Sequence, residues 1–164
     1  MISKIVNDGD IMRKLTKRYI VQSLDGINLS KPIRYERYYI NDNLRIQKKG
    51  NIFEKEVLNN ENDIVNKEKI SEDEFINLKT DAYSEIVRDS YLYIDDTRIS
   101  IKKYFGKYDG LNRVEVKFSS LEEMNSYHKE SWMKEEITES SLAFDKYLSK
   151  LSREEFEIEL RKYI

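Results

Sequence analysis

Two short stretches of this chain carry charge in a pattern that chemistry can use. In Arg98-Ile99-Ser100-Ile101-Lys102 and Arg113-Val114-Glu115-Val116-Lys117, apolar residues alternate with residues that are mostly cationic. Successive side chains on a β-strand point to opposite faces, so each stretch would present one apolar face and one basic face. A single basic face is ordinarily a solvated sheet surface. Several turned toward one interior make a receptor for a polyanion, because guanidinium and ammonium groups form charge-assisted hydrogen bonds with phosphate oxygens.

Other chemistries find little support. With no cysteine there is no disulfide, thiolate metal site or Cys nucleophile. The only histidine, His128, follows a polar helix opening with no acid cluster nearby, which reads as a surface residue rather than a base or ligand. The five glycines are scattered, so no glycine-rich loop cradles a phosphate, and no Ser-His-Asp or His-rich zinc pattern is present. Tyr35-Glu36-Arg37-Tyr38-Tyr39 mixes aromatic and basic groups as single-strand nucleic-acid platforms do, but such residues are also strand formers that pack.

The basic faces need strands to carry them. Eight segments read as strands: 15–22, 33–40, 44–49, 52–58, 64–69, 84–94, 97–105 and 111–118, bounded by Gly, Asn and Asp turn signals. The turns Asn41-Asp42-Asn43, Gly50-Asn51, Asp95-Asp96 and Asp109-Gly110 are short, which favours antiparallel neighbours. Three Ser residues, each followed three positions later by Glu, predict helix starts at Ser71, Ser120 and Ser152. The last opens a helix over 152–164 whose Phe156, Leu160 and Tyr163 form an apolar stripe expected to pack on the outside of the sheet. Another short helix is expected over 141–150.

A chain of 164 residues suffices for one domain with a core, expected to span 1–164. Twelve Tyr and six Phe supply the large apolar surfaces that a 37% charged chain needs to fold. The formal net charge of −2 gives no global field for duplex nucleic acid or an anionic membrane, so anion recognition must come from local clustering. No segment has the length of a signal peptide's apolar core or of a membrane span, and a cytoplasmic location is the expectation. The oligomeric state is not legible.

The order of these pieces resembles the CYTH domain, the core of the triphosphate tunnel metalloenzymes, from about residue 14 to 148. Lys14-Leu15-Thr16-Lys17-Arg18-Tyr19-Ile20-Val21 stands where that family has its Glu-x-Glu-x-Lys strand. Arg37-Tyr38-Tyr39-Ile40 with Leu44-Arg45-Ile46-Gln47 resembles its Arg-x-Arg hairpin, and Arg113-Val114-Glu115-Val116-Lys117 its late Glu-x-Glu strand. Trp132 and Glu136-Ile137-Thr138 resemble the closing Trp and Glu-Val-Thr, which implies that Trp132 packs at the barrel rim. The resemblance implies an α+β fold: an eight-stranded, mostly antiparallel β-barrel with helices packed outside, whose tunnel binds a triphosphate through basic residues and Mg²⁺ or Mn²⁺ through acidic ones. The family's activities include inorganic, thiamine and RNA triphosphatases and class IV adenylate cyclase.

This chain departs from that pattern on the acidic side. Lys14 and Thr16 replace the two carboxylates of the first motif, Lys117 replaces the second acid of the late strand, and Lys102 stands where the preceding strand often has an acid. Gln47 replaces the second Arg of the pair, and a basic pair in the sixth strand is reduced to Arg88 with Ser90. With Lys14, Arg18, Arg45, Arg88, Arg98, Lys102, Arg113 and Lys117 facing inward beside Glu115, eight cations and one carboxylate leave +7. Such a site disfavours a dication, which prefers clustered carboxylates, and favours phosphates.

The expected function is therefore binding of a phosphorylated small molecule, a nucleotide or oligophosphate, with no cofactor and without efficient metal-dependent catalysis. Two alternatives stand beside it. One is a Mg²⁺- or Mn²⁺-dependent triphosphatase or cyclase using Glu115 with Glu54, Glu56 or Glu68; the other is a protein-interaction module that uses the barrel as a scaffold. Strand 52–58 is the open point, since a one-residue change of register decides whether Glu54 and Glu56 or Lys55 faces inward.

Overall fold

Turn residues cut the chain into strands much where the sequence places them. The computed structural model describes residues 5–8 and 11–164, with side chains from Leu15 onward, so the Lys14 side chain lies outside the described residues. The strands are β1 (Ile5–Asp8), β2 (Ile11–Ile20), β3 (Ile33–Asn41), β4 (Leu44–Lys49), β5 (Ile52–Leu58), β6 (Ile64–Lys69), β7 (Ser84–Leu92), β8 (Ile99–Tyr104) and β9 (Asn112–Phe118). All pair antiparallel in one sheet of order β1-β2-β9-β8-β7-β3-β4-β5-β6. Gly50, at φ +58°, supplies the left-handed backbone that closes the β4–β5 hairpin.

The sheet from β2 to β6 curls into a barrel whose ends meet without a hydrogen-bonded ladder among the described residues. Residues 134–138 cover the free edge of β2 instead. Ile20 donates to the Glu135 carbonyl at 2.9 Å, Lys134 to the Ile20 carbonyl at 2.8 Å and Ile137 to the Arg18 carbonyl at 2.8 Å. The short β1 extends the β2 hairpin beyond the barrel, in a stretch where the sequence predicted no strand.

Alternation along the strands builds two outer cores and an inner one. Ile99, Ile101, Val114, Val116 and Phe118 face outward beneath Met133 and Trp132, and the Trp132 ring packs edge-on against Tyr93 at 5.2 Å. Tyr38, Ile46 and Phe53 face outward beneath Phe75 of α1 (Glu72–Lys79). The inner face is apolar at one end, where Ile20, Tyr39, Leu58, Ile86 and Tyr104 meet Leu142, Leu148, Phe156 and Leu160. The predicted 141–150 helix is a 3₁₀ turn, Ser141–Ala143, followed by α3 (Asp145–Leu148), the chain between α1 and these carrying the short α2 (Leu121–Asn125).

The C-terminal helix α4 (Arg153–Arg161) therefore does not lie on the outside of the sheet as expected. Its stripe faces the inward residues at the apolar end and stoppers the barrel there. Periodicity showed that the helix is amphipathic, but not which apolar surface it covers. The three Ser–Glu starts all form, each Ser Oγ accepting from the Glu amide three residues on, and Ser152–Glu155 closes a reciprocal capping box. No helix among the described residues is long and apolar enough to cross a membrane.

Candidate phosphate-binding cavity

Above the apolar plug, the same inward faces turn polar and enclose a cavity of 470 Å³. β2 contributes Thr16 and Arg18, β9 Arg113, Glu115 and Lys117, β8 Lys102, β7 Arg88, and β4 Arg45 and Gln47. Seven of the nine expected residues, Arg18, Arg45, Arg88, Lys102, Arg113, Glu115 and Lys117, thus share one enclosure. Nine Lys and Arg and four Asp and Glu line it, leaving a formal surplus of five positive charges rather than the expected seven.

Arg98 is the expected residue that the fold puts elsewhere. It sits in the turn before β8, where Asp96 accepts from its Nε at 3.0 Å and Nη2 at 2.8 Å, and Glu123 from its Nη1 at 2.7 Å. Alternation fails as a guide here because the residue precedes the strand, and two nearby acids hold its head on the outer surface. His128 is exposed. Of the aromatic segment, Tyr38 packs outward and Tyr39 inward in the plug, while Tyr35 lines the cavity beneath the Arg88 guanidinium, 4.4 Å from its ring.

Strand β5 resolves its register with the acids inside. Glu56 is buried and accepts from Arg45 Nε at 2.6 Å, with Lys67 Nζ 3.3 Å from its other oxygen. Glu54 accepts from Gln47 at 2.7 Å, while Lys55 points outward to Glu68 at 3.1 Å. Gln47, in place of a second arginine, also accepts from Arg37 Nε at 2.8 Å, so it relays between a guanidinium and a carboxylate.

Arg18 is held on three sides. Its Nη2 donates to Glu115 at 2.8 Å, its Nη1 to Thr16 at 2.6 Å, and its guanidinium lies 4.2 Å from the Phe144 ring centroid. Glu115 stays ionised: burial would raise its carboxyl, but Arg18, Lys102, Lys117 and Arg113 hold it well below the usual carboxylate range. Lys102 is buried and donates to Ser100 Oγ at 2.6 Å, with no carboxylate within ion-pairing distance among the described residues. Burial pushes its ammonium well below the usual lysine range; Glu115 opposes this, and Arg88, Arg113 and Lys117 reinforce it.

A measurable consequence follows for Lys102. A bound anion favours its charged form and so opposes the lowering by burial, and pyrophosphate binding at a pH below the ordinary lysine range should draw a proton from the buffer. Calorimetry in buffers of different ionisation enthalpy reads this uptake, which should shrink in Lys102→Met. Equal buffer dependence in the two proteins would show that Lys102 does not take up the proton.

Asp145 is the residue that sequence reading missed. It opens α3 inside the barrel, its side chain 1% exposed, and accepts from Arg37 Nη1 and Arg88 Nε at 3.0 Å each and from the Tyr104 hydroxyl at 2.6 Å, with Arg113 Nη1 in ion-pair contact at 3.2 Å. Its only sequence signal is an acid amid apolar residues in Leu142-Ala143-Phe144-Asp145. Several donors nonetheless go unmatched: Arg18 Nε, Arg88 Nη1 and Arg113 Nε are buried without a hydrogen-bond acceptor.

The dication implied by the resemblance meets a poor donor set here. Among the described residues, no three of His, Cys, Asp and Glu gather closely enough to hold a metal ion. Glu115 and Glu56 are each engaged by a guanidinium, and Lys117 stands opposite Thr16 across the β2–β9 pair.

A curled antiparallel sheet around a polar lumen, with helices at its outside and one end, is the architecture of the triphosphate tunnel fold. No family model and no curated protein matches the chain. Solved structures that share its fold include two described as NE1496. The inorganic triphosphatase NE1496 aligns at a TM-score of 0.67 and 19% identity, over 84% of this chain and 94% of its own. A structure described as the hypothetical protein NE1496 aligns at 0.69 and 17% identity, over 85% and 99%.

Proposed function

We propose that this chain binds a phosphorylated small molecule, a nucleotide or an oligophosphate, by its phosphate groups, without efficient metal-dependent turnover. The observation that carries this reading is unspent cationic capacity in an enclosed space. Lys102 and Lys117 have no carboxylate in ion-pairing range among the described residues, and three buried arginine nitrogens donate to nothing. Buried donors without acceptors are costly, and phosphate oxygens are acceptors of matching charge and geometry. Arg18, Arg113, Lys102 and Lys117 are the residues assigned to hold them.

The second reading, a metal-dependent triphosphatase or cyclase, draws on the likeness to an inorganic triphosphatase and on Glu56 and Glu115 lying inside the cavity. One experiment separates the two. Thermal shift with orthophosphate, pyrophosphate, tripolyphosphate, nucleoside triphosphates and cyclic nucleotides should raise Tm for at least one phosphorylated ligand in EDTA, because a ligand bound only by the native state stabilises it. Stabilisation that needs Mg²⁺ or Mn²⁺, with phosphate or pyrophosphate release abolished in Glu115→Gln, would replace this reading with the enzymatic one. No stabilisation by any ligand would leave the barrel as a scaffold.

A further inference from the structure

Three guanidinium groups and a phenol converging on one carboxylate give Asp145 the surroundings that a phosphoryl group would receive. Burial works against its charge, but Arg88, Arg113 and Arg37 hold its carboxyl well below the usual range, so it is an anion at neutral pH. It is also fixed in place. The residues before and after it, Leu142, Ala143 and Leu148, are fully buried, and both leucines sit in the apolar plug with Tyr39, Ile86 and Phe156. The Asp145 backbone cannot move away without withdrawing that segment from the core.

The cavity is thus uneven. Along β3 and β7, the cations Arg37 and Arg88 are already shared by an internal anion, and Arg88 Nη1 is the one buried nitrogen there without an acceptor among the described residues. Along β2, β8 and β9, Lys102 and Lys117 lack a carboxylate partner among the described residues, and Arg18 Nε and Arg113 Nε lack an acceptor. Arg113 stands at the boundary, its Nη1 donating to the Leu142 carbonyl at 3.2 Å while in ion-pair contact with Asp145, and its Nε unmatched.

Resting on the phosphate-binding reading above, we propose that Asp145 is a built-in anion that fills the Arg37–Arg88 subsite and so limits the ligand by length. A single phosphate or a diphosphate seats among Arg18, Lys102, Arg113 and Lys117. A third phosphoryl group reaching toward β3 and β7 meets a carboxylate that repels it. A cavity with open cations along its whole length would instead bind tripolyphosphate best, since that ligand carries the most charge.

The test is calorimetric titration of the full chain in EDTA with orthophosphate, pyrophosphate and tripolyphosphate, before and after Asp145→Asn. In the wild type, affinity should rise from orthophosphate to pyrophosphate and then level or fall at tripolyphosphate. Asp145→Asn should raise the affinity ratio of tripolyphosphate to pyrophosphate by about tenfold or more, the scale of one strong charge contact. A further rise at tripolyphosphate in the wild type overturns the length limit, as does a ratio that stays within about threefold in the variant. The wild-type series decides alone if the variant does not fold. Failure of the wild type to bind any of the three anions defeats the phosphate reading itself, whereas binding at an unchanged ratio defeats only the role given to Asp145.

Discussion

Arg45→Met is expected to destabilise the fold by about 3–5 kcal/mol, the range for removing one partner of a buried ion pair. Arg45 and Glu56 face each other across the β4–β5 pair, with side chains 7% and 1% exposed and 2.6 Å between Nε and Oε1. Removing the guanidinium leaves Glu56 in the wall with Lys67 at 3.3 Å, on a half-exposed stem that screens it poorly. The double variant Arg45→Met/Glu56→Met should recover more than half of the loss, because the unpaired charge rather than the absent pair is the main cost. Urea denaturation of the single and double variants measures both.

The same pair fixes the sign of the acid response. Burial would raise the Glu56 carboxyl, but Arg45, then Arg37 and Lys67, outweigh it and hold the carboxyl at about 2 against an ordinary 4.5. A depressed folded value means that the native state is favoured while the group is ionised. Its contribution, about 3 kcal/mol, is fully present above pH 4.5 and fades as pH falls toward 2. In Arg45→Met the carboxyl titrates higher, so acid unfolding should begin at a higher pH. An unchanged acid midpoint would show that the pair does not set it.

Arg113→Ala should weaken phosphate binding by about 10- to 100-fold, the worth of one or two charge-assisted hydrogen bonds. Arg113 is 3% exposed, stands between Lys102 and the Asp145 carboxylate, and keeps Nε unmatched. Binding by the wild type should also weaken as salt rises, and less steeply in the variant, which has one charge fewer to screen. Arg98→Ala is the control, expected to stay within about twofold because its guanidinium is held outside the cavity by Asp96 and Glu123. Pyrophosphate titrations at two salt concentrations read all three effects, and equal losses in Arg113→Ala and Arg98→Ala would place the ligand elsewhere.

Much of the barrel was legible because strands write their faces into sequence at a period of two. The alternation through Ile99–Lys102 and Arg113–Lys117 announced which residues enter the lumen, and the short turns fixed antiparallel neighbours. Where a residue stands just outside the regular strand, as Arg98 does, the period no longer applies and local hydrogen bonds decide. Glu56 could be assigned only by the structure, because β5 carries polar and apolar groups on both faces of its pattern. Asp145 was invisible for another reason: its place in the lumen comes from packing of Leu142 and Leu148 at one end of the barrel, a tertiary contact with no periodic trace. Helix α4 belongs to the same class, amphipathic in sequence but assigned to its surface only by the fold.

The outer edge of β6, without a strand partner among the described residues, has a consequence for how this molecule behaves among copies of itself. An edge of free amides and carbonyls is a template on which a foreign chain can add a strand, the first step toward ordered aggregates. Here the exposed run Asn66-Lys67-Glu68-Lys69 occupies that margin, and its alternating charges make an incoming apolar segment give up hydration without gaining a partner. The open seam of the barrel thus carries its own gatekeepers against self-association.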